Sequence, residues 1–409
     1  MVVGLGLVSL AADMVADGGK AILGPFLGSL GASALVIGVV LGAAEAVSLI
    51  LRLVAGPLAD RSGNHWSWTT VGYAMTAVGF PLLAVAPALG GAGLAVAVTL
   101  ILLERAGKAV RSPSKTALLA HAAGAVGRGR GFGVHKVLDL TGATVGPLVV
   151  AAVIAATGAT QPALLVLVVP GVATMALLSW LRRRVPDPSV YDVEAAGAAR
   201  VGDGAGGVPR TWSQWWAATV GSGLPREFFL FAAASALVTA GLVSYGISSF
   251  HLVEARLVPL AVVPVVFAGA MGVAAVAAFA TGAVYDRRGP EVLLALPLLV
   301  AVVPPLVLGG GLPGALVGLA CWGAAVGVQD ATVKALVADL VPAARRASAY
   351  GVFAAIQGVA ALAGGAVVGA LYDVSVLGLT VFVAGSQVAA LVLLLVVLRR
   401  PARARAAWR

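Results

Sequence analysis

The chain has 409 residues, of which 60% are hydrophobic and only 11% charged, with 53 glycines, 21 prolines and a mean hydropathy of +1.01. A soluble chain carries roughly 25% charged residues, so this one has too little charge to cover a water-facing surface, while abundant glycine and proline suit helices packed through small residues in a membrane. The net charge of +10 does not indicate nucleic acid: there is no basic domain or zinc-finger spacing, and the arginines lie in short clusters between apolar runs. The lone Cys321 excludes intramolecular disulfides and cysteine metal clusters, and neither metal nor cofactor is expected.

The apolar run beginning at Met1 carries Asp13, Asp17 and Lys20 and is followed by many others, so it reads as a first membrane span and not as a cleavable leader. Crossing about 30 Å of hydrocarbon takes about 20 helical residues. That length places spans over 3–29, 33–58, 67–88, 91–112, 131–156 and 161–181, then 228–251, 257–282, 291–309, 312–336, 347–371 and 376–399. The expected fold is an all-α polytopic membrane protein with twelve transmembrane helices in two pseudo-symmetric six-helix bundles. The bundles cover residues 1–181 and 228–399, with a cytoplasmic linker over 182–227 and a basic cytoplasmic tail over 400–409.

Ionised side chains in hydrocarbon are costly, so those inside spans are functional candidates. In span one Asp13 and Asp17, four apart, share a helical face, and Lys20 three residues on could neutralise Asp17. Glu45 sits near the middle of span two with no basic neighbour in sequence; it is either a proton-exchanging acid or a hydrogen-bonded one joining helices. Arg52, two turns nearer the cytoplasm, could pair with an acid on another span. Span four gathers Glu104, Arg105, Lys108 and Arg111. Glu104 to Lys108 is the favourable i,i+4 order, which leaves Arg105 and Arg111 to find partners elsewhere. In span five His135 and Asp139 share a face beside Lys136 and could exchange protons near neutral pH, or His135 could hydrogen-bond at the interface. The second half is poorer in charge: Asp330 and Lys334 form an i,i+4 pair in span ten, with Asp339 near its end.

Basic residues orient the spans. Lys115, Arg128 and Arg130 join spans four and five, Arg182 to Arg184 follow span six, Arg287 and Arg288 lie between spans eight and nine, and Arg345 and Arg346 precede span eleven. The opposite loops are almost uncharged, so both termini are expected in the cytoplasm. The linker, with Pro186, Pro188 and a glycine-rich section, has little expected structure, and Trp212, Trp215 and Trp216 at its end suit a short interfacial helix.

The halves repeat one another. Gly56, Asp60, Arg61 and Gly63 after span two recur at the same spacing as Gly282, Asp286, Arg287 and Gly289 after span eight, and residues 116–133 align without gaps against 334–351. Physically, Gly56 would admit a neighbouring backbone, Gly63 a tight turn, and Asp60 a clasp to Arg or amide donors that can make and break. Gly358, Gly364, Gly365 and Gly369 give span eleven a smooth surface for close crossings or gating.

With these residues in view, the chain resembles the major facilitator superfamily over essentially its whole length. Gly56-x-Leu58-x-Asp60-Arg61-x-Gly63 is similar to its signature loop, although Asn64 and His65 stand where that loop is usually basic. Gly142-x-x-x-Gly146-Pro147 is similar to a small-residue motif of its exporters, and Glu104-Arg105-x-Gly107-Lys108-x-x-Arg111-Ser-Pro113 resembles a bacterial drug-efflux-like subgroup. The resemblance implies a secondary transporter of a bacterial inner membrane and not an enzyme, acting as a monomer among membrane lipids by alternating access, with the proton as coupling ion. The lead expectation is proton-coupled export of a small amphipathic or lipophilic compound. Its rivals are proton-coupled uptake of a small organic anion and a non-transporting membrane sensor. On this reading Asp13, Asp17, Glu45 and Asp139 are the proton-coupling candidates. Lys20, Arg52, Glu104, Arg105, Lys108, His135, Lys136, Asp330 and Lys334 are the substrate or counter-ion candidates, and the two Gly-Asp-Arg-Gly loops are the conformational motif.

Overall fold

The structure, a computed structural model, describes residues 1–124, 127–187, 224–342 and 345–398. Most of the expected linker, including Trp212, Trp215 and Trp216, and the basic tail lie outside the described residues, as does the side chain of Lys334. In the first half the helices are α1 (Val2–Lys20), α2 (Leu23–Ser29), α3 (Ala34–Ser62), α4 (His65–Leu82), α5 (Gly93–Gly124), α6 (Arg128–Thr157), α7 (Thr160–Leu165) and α8 (Val168–Arg184). In the second they are α9 (Arg226–Gly241), α10 (Tyr245–Glu254), α11 (Val263–Arg288), α12 (Ala295–Ala301), α13 (Val303–Gly309), α14 (Gly311–Leu340), α15 (Arg346–Val374) and α16 (Val376–Leu398). The described residues are all α-helix, short 3₁₀ segments and connections.

Eleven stretches of these residues are long and apolar enough to cross a membrane. One of them, His65–Ala123, has 59 residues, which at 1.5 Å per residue is far more than a bilayer needs. Gly90, at φ 53° and ψ −126°, breaks it between α4 and α5. It therefore supplies two crossings, and the described residues make twelve. The side chains turned outward are apolar: Val169, Val172, Val276, Phe279 and Leu377 are all well over half exposed. In water such a surface would aggregate; in hydrocarbon it is the solvated face.

The chain forms two compact units. The first holds α1, α2, α3 from Ile50 onward, α4 to α8 and the residues 259–268; the second holds the Ala34–Leu49 part of α3, α9, α10, α11 from Gly269 and α12 to α16. Leu5, Val8, Tyr73, Leu118, Leu119, Leu178 and Leu181 pack the core of the first. Phe228, Phe231, Leu293, Leu336, Val337 and Leu394 pack that of the second. In the second unit Gly38 of α3 meets Gly365 of α15 backbone to backbone, and a Cβ on Gly42 would lie 2.6 Å from the Ala361 carbonyl oxygen. Two of the small residues expected to form close crossings in span eleven, Gly365 and Gly369, do so here against α3.

Two expectations need correction. Lys115 is not in a loop: α5 continues beyond residue 112, through Pro113, as far as Gly124. The Ser112-Pro113-Ser114 sequence reads as a stop because proline lacks an N–H, yet a membrane helix tolerates one proline when neighbouring helices hold it. Nor does Gly56 admit a neighbouring backbone, since a Cβ there would stand 3.8 Å from the Pro113 side chain, an ordinary contact, and one on Gly282 would meet nothing within 4 Å. The turn expected at Gly63 is present. Gly63 and its repeat partner Gly289 both have left-handed backbones, φ 62° and 79°. Gly63→Ala is therefore expected to cost about 1 kcal/mol, seen as a lower thermal midpoint in detergent, while Gly56→Ala leaves the midpoint unchanged. Equal midpoints for the two variants would contradict this account of the loop.

Candidate functional site

Two tight crossings in the first unit bring its charges together. Gly142 and Gly146 of α6 lie against the backbone of α1 at Leu10 and Met14, so close that a Cβ on Gly146 would stand 2.6 Å from Met14 Cα. The helices meet there because neither glycine has a side chain to hold them apart. One turn along, this crossing sets Asp13 opposite Asp139, with the two carboxyls within hydrogen-bonding reach. Gly72 of α4 and Gly107 of α5 form the second crossing, where a Cβ on Gly107 would lie 2.8 Å from the Gly72 carbonyl oxygen. Tyr73 and Thr76 are thereby brought onto Arg111.

The face of α5 that receives these contacts carries Glu104, Lys108, Arg111 and Lys115, spaced four, three and four apart. Arg111 is 4% exposed. Its Nη2 lies 3.7 Å from Asp13 Oδ1, its Nη1 donates to the Thr76 hydroxyl, and its guanidinium lies 4.7 Å from the centre of the Tyr73 ring. Stacking and the threonine acceptor fix the plane of the guanidinium. One turn on, Lys115 Nζ donates to Ser9 Oγ at 3.2 Å and lies 3.7 Å from Asp139 Oδ1. Ser9 is a hub: its oxygen is 3.0 Å from the Tyr73 hydroxyl and 3.5 Å from His135 Nε2. His135 is buried, and its Nδ1 has no hydrogen-bond partner among the described residues. Lys136, largely exposed, approaches Asp139 Oδ2 at 3.2 Å from the other side.

Glu104 is fully buried and pairs with Arg105 at 3.2 Å, with the Thr76 hydroxyl 3.4 Å from its other oxygen. The expected Glu104 to Lys108 pair is thus replaced by an adjacent one, while Lys108 lies in the field of Arg105, Lys20, Asp17 and Glu104. His135 turns toward Ser9 instead of Asp139. Lys20 also approaches the Phe267 ring, 6.0 Å from its centre. Six bases (Lys20, Arg105, Lys108, Arg111, Lys115 and Lys136) therefore share this part of the first unit with four acids (Asp13, Asp17, Glu104 and Asp139).

Other expected residues lie elsewhere. Arg52 is half-buried in α3. Glu45 is exposed on the part of α3 that belongs to the second unit, and Asp330, Asp60, Arg61, Asp286 and Arg287 are exposed. The buried polar groups of the second unit are mostly neutral. Thr239 donates to Gln357, Gln329 Nε2 donates to Thr239 at 3.3 Å, and His251 Nδ1 lies 2.9 Å from the Tyr372 hydroxyl. Ser9, Tyr73, Thr76 and Lys115 are site residues that sequence reasoning missed, and Arg111, seen only as a span-four base in need of a partner, is not among the substrate or counter-ion candidates. For Lys115 a signal existed, because it continues the helical spacing of Glu104, Lys108 and Arg111.

The family model described as Major Facilitator Superfamily matches residues 6–365. The chain belongs to the Major Facilitator Superfamily. Within this superfamily it is 46% identical, over 390 residues, to an uncharacterized protein of Mycobacterium tuberculosis, covering 95% of this chain and 90% of that one. Its fold is shared with a variant of the nucleoside transporter NupG (TM-score 0.75, 14% identity, 97% and 100% of the two chains). It is shared too with the xylose transporter XylE from E. coli (TM-score 0.68, 14% identity, 96% of each), and with a peptide transporter POT solved in complex with sulfate (TM-score 0.67, 17% identity, 97% and 93%). The protein is a multi-pass secondary transporter of a bacterial inner membrane, and its cargo is a small solute.

Proposed function

We propose that the protein takes up a small organic anion together with protons, and that the first unit's polar cluster binds both. The observation that carries this reading is the pair of bases on α5, Arg111 and Lys115, each held by an acid at 3.7 Å. That is longer than the 2.7–2.9 Å of a full charge-assisted hydrogen bond, so a solute carboxylate can take either place. The Asp13 and Asp139 carboxyls, set against one another, are the proton carriers. Uptake fits this arrangement because an anion entering a negatively charged interior moves against the potential and needs accompanying protons. The surplus of bases suits an anion better than a lipophilic compound, and the solutes named for the structures of the same fold, a nucleoside, xylose and peptides, are polar. Alternating access would present the cluster to each side of the membrane in turn.

The test is flux into proteoliposomes from a labelled pool of organic acids, amines and neutral metabolites, under an inward proton gradient. Anions are expected to accumulate. Asp13→Asn and Asp139→Asn each abolish the response to the gradient while leaving exchange of solute across the membrane. Accumulation confined to neutral solutes, or an undiminished gradient response in both variants, would overturn the proposal.

A further inference from the structure

We infer that the solute carries two separate anionic groups and that its binding loads one proton onto the Asp13–Asp139 pair. This rests on the uptake reading above and names its substrate class. Arg111 and Lys115 stand one helical turn apart on the same face of α5, and each already holds a carboxylate brought by a different helix, Asp13 from α1 and Asp139 from α6. The protein thus contains its own imitation of a dicarboxylate. Both contacts are loose, whereas the Glu104–Arg105 pair beside them closes to 3.2 Å in full burial. His135, 6% exposed, faces Ser9 with Nε2 and so borders the same two pairs.

The coupling follows from the neighbours of the two acids. Asp13 is faced by Asp17 on its own helix, Arg111 and Lys115 on α5, and Asp139 on α6; Asp139 is faced by Asp13, Lys115, Lys136 and, across Ser9, by His135 and Tyr73. When a dianion takes Arg111 and Lys115, Asp13 loses its guanidinium and remains against Asp139, which keeps Lys136 at 3.2 Å. Two carboxylates in contact there cannot both stay charged on a single cation, so the pair binds one proton. One dianion and one proton then cross together, and both leave when the acids regain their bases.

Purified protein in weakly buffered detergent solution, with a pH-sensitive dye, measures the protons bound as ligand is added. The probes are malonate, succinate and glutarate, their monoamides, their diamides, and glycerol phosphate. The expected result is uptake of about one proton per dicarboxylate bound. Lys115→Gln is expected to weaken dicarboxylate binding ~tenfold or more and monoamide binding by a smaller factor. Proteoliposome uptake of the dicarboxylate that binds is expected to slow when a potassium diffusion potential makes the interior negative. Monoamides binding as tightly as diacids would sink this inference and leave anion uptake standing. Tighter binding of the phosphate ester than of any diacid, or no binding of any diacid by native protein, would also overturn it. Diamides binding as well as diacids would remove both proposals.

Discussion

Arg111→Gln is expected to slow gradient-driven anion uptake by a factor of about 100 or more, with Arg111→Lys retaining a measurable part of the rate. The side chain is almost fully buried and has three partners, the Asp13 carboxylate, the Thr76 hydroxyl and the Tyr73 ring. Removing one member of a buried ion pair costs about 3–5 kcal/mol because the other charge is left uncompensated, and 1.4 kcal/mol is a tenfold change. Lysine restores the charge but not the flat, stacked guanidinium that meets Tyr73 and Thr76 together. Initial rates in proteoliposomes give the number, and size-exclusion profiles in detergent separate lost transport from lost folding. Native rates in a well-folded Arg111→Gln protein would place the anion elsewhere.

Gly146→Leu is expected to produce the largest loss of stability, about 3 kcal/mol or more. Even the Cβ of alanine would lie 2.6 Å from Met14 Cα and nearer still to the Met14 carbonyl oxygen. Backbone cannot rotate away as a side chain can, so α1 and α6 must separate. The same separation withdraws Asp13 from Asp139, so Gly146→Ala is expected to fold with a lowered thermal midpoint and to transport with weakened dependence on the proton gradient. Gly133→Leu, on the same helix, is the control, since a Cβ there meets nothing within 4 Å. Thermal unfolding in detergent, followed by intrinsic fluorescence, checks the order: native and Gly133→Leu alike, Gly146→Ala lower, Gly146→Leu lowest or not recoverable. A Gly146→Leu protein as stable as native would mean that the α1–α6 crossing is not as close as described.

The amino-acid sequence alone determined the membrane environment, the number of crossings, the repeat of the two halves and the helices that carry charge. Hydrocarbon leaves little choice here: each crossing needs about 20 apolar residues with all backbone groups paired within the helix, and that requirement is written locally in the chain. Gly63 belongs to the same class, because a left-handed turn is a property of one residue and its neighbours. The sequence did not determine which acid meets which base. A same-helix pair such as Glu104 and Lys108 gains only about 0.2–0.5 kcal/mol, too little to decide the matter against partners on other helices. Lys115 was read as the start of a loop because the serine and proline before it lower the hydropathy, whereas Ser9 and Asp139 on two other helices give it a reason to stay inside. Ser9, Tyr73 and Thr76 are uncharged and gave no signal of their own. Their places in the cluster exist only because glycines on α4, α5 and α6 let helix backbones touch, and a crossing between distant segments is a tertiary contact that sequence spacing does not record.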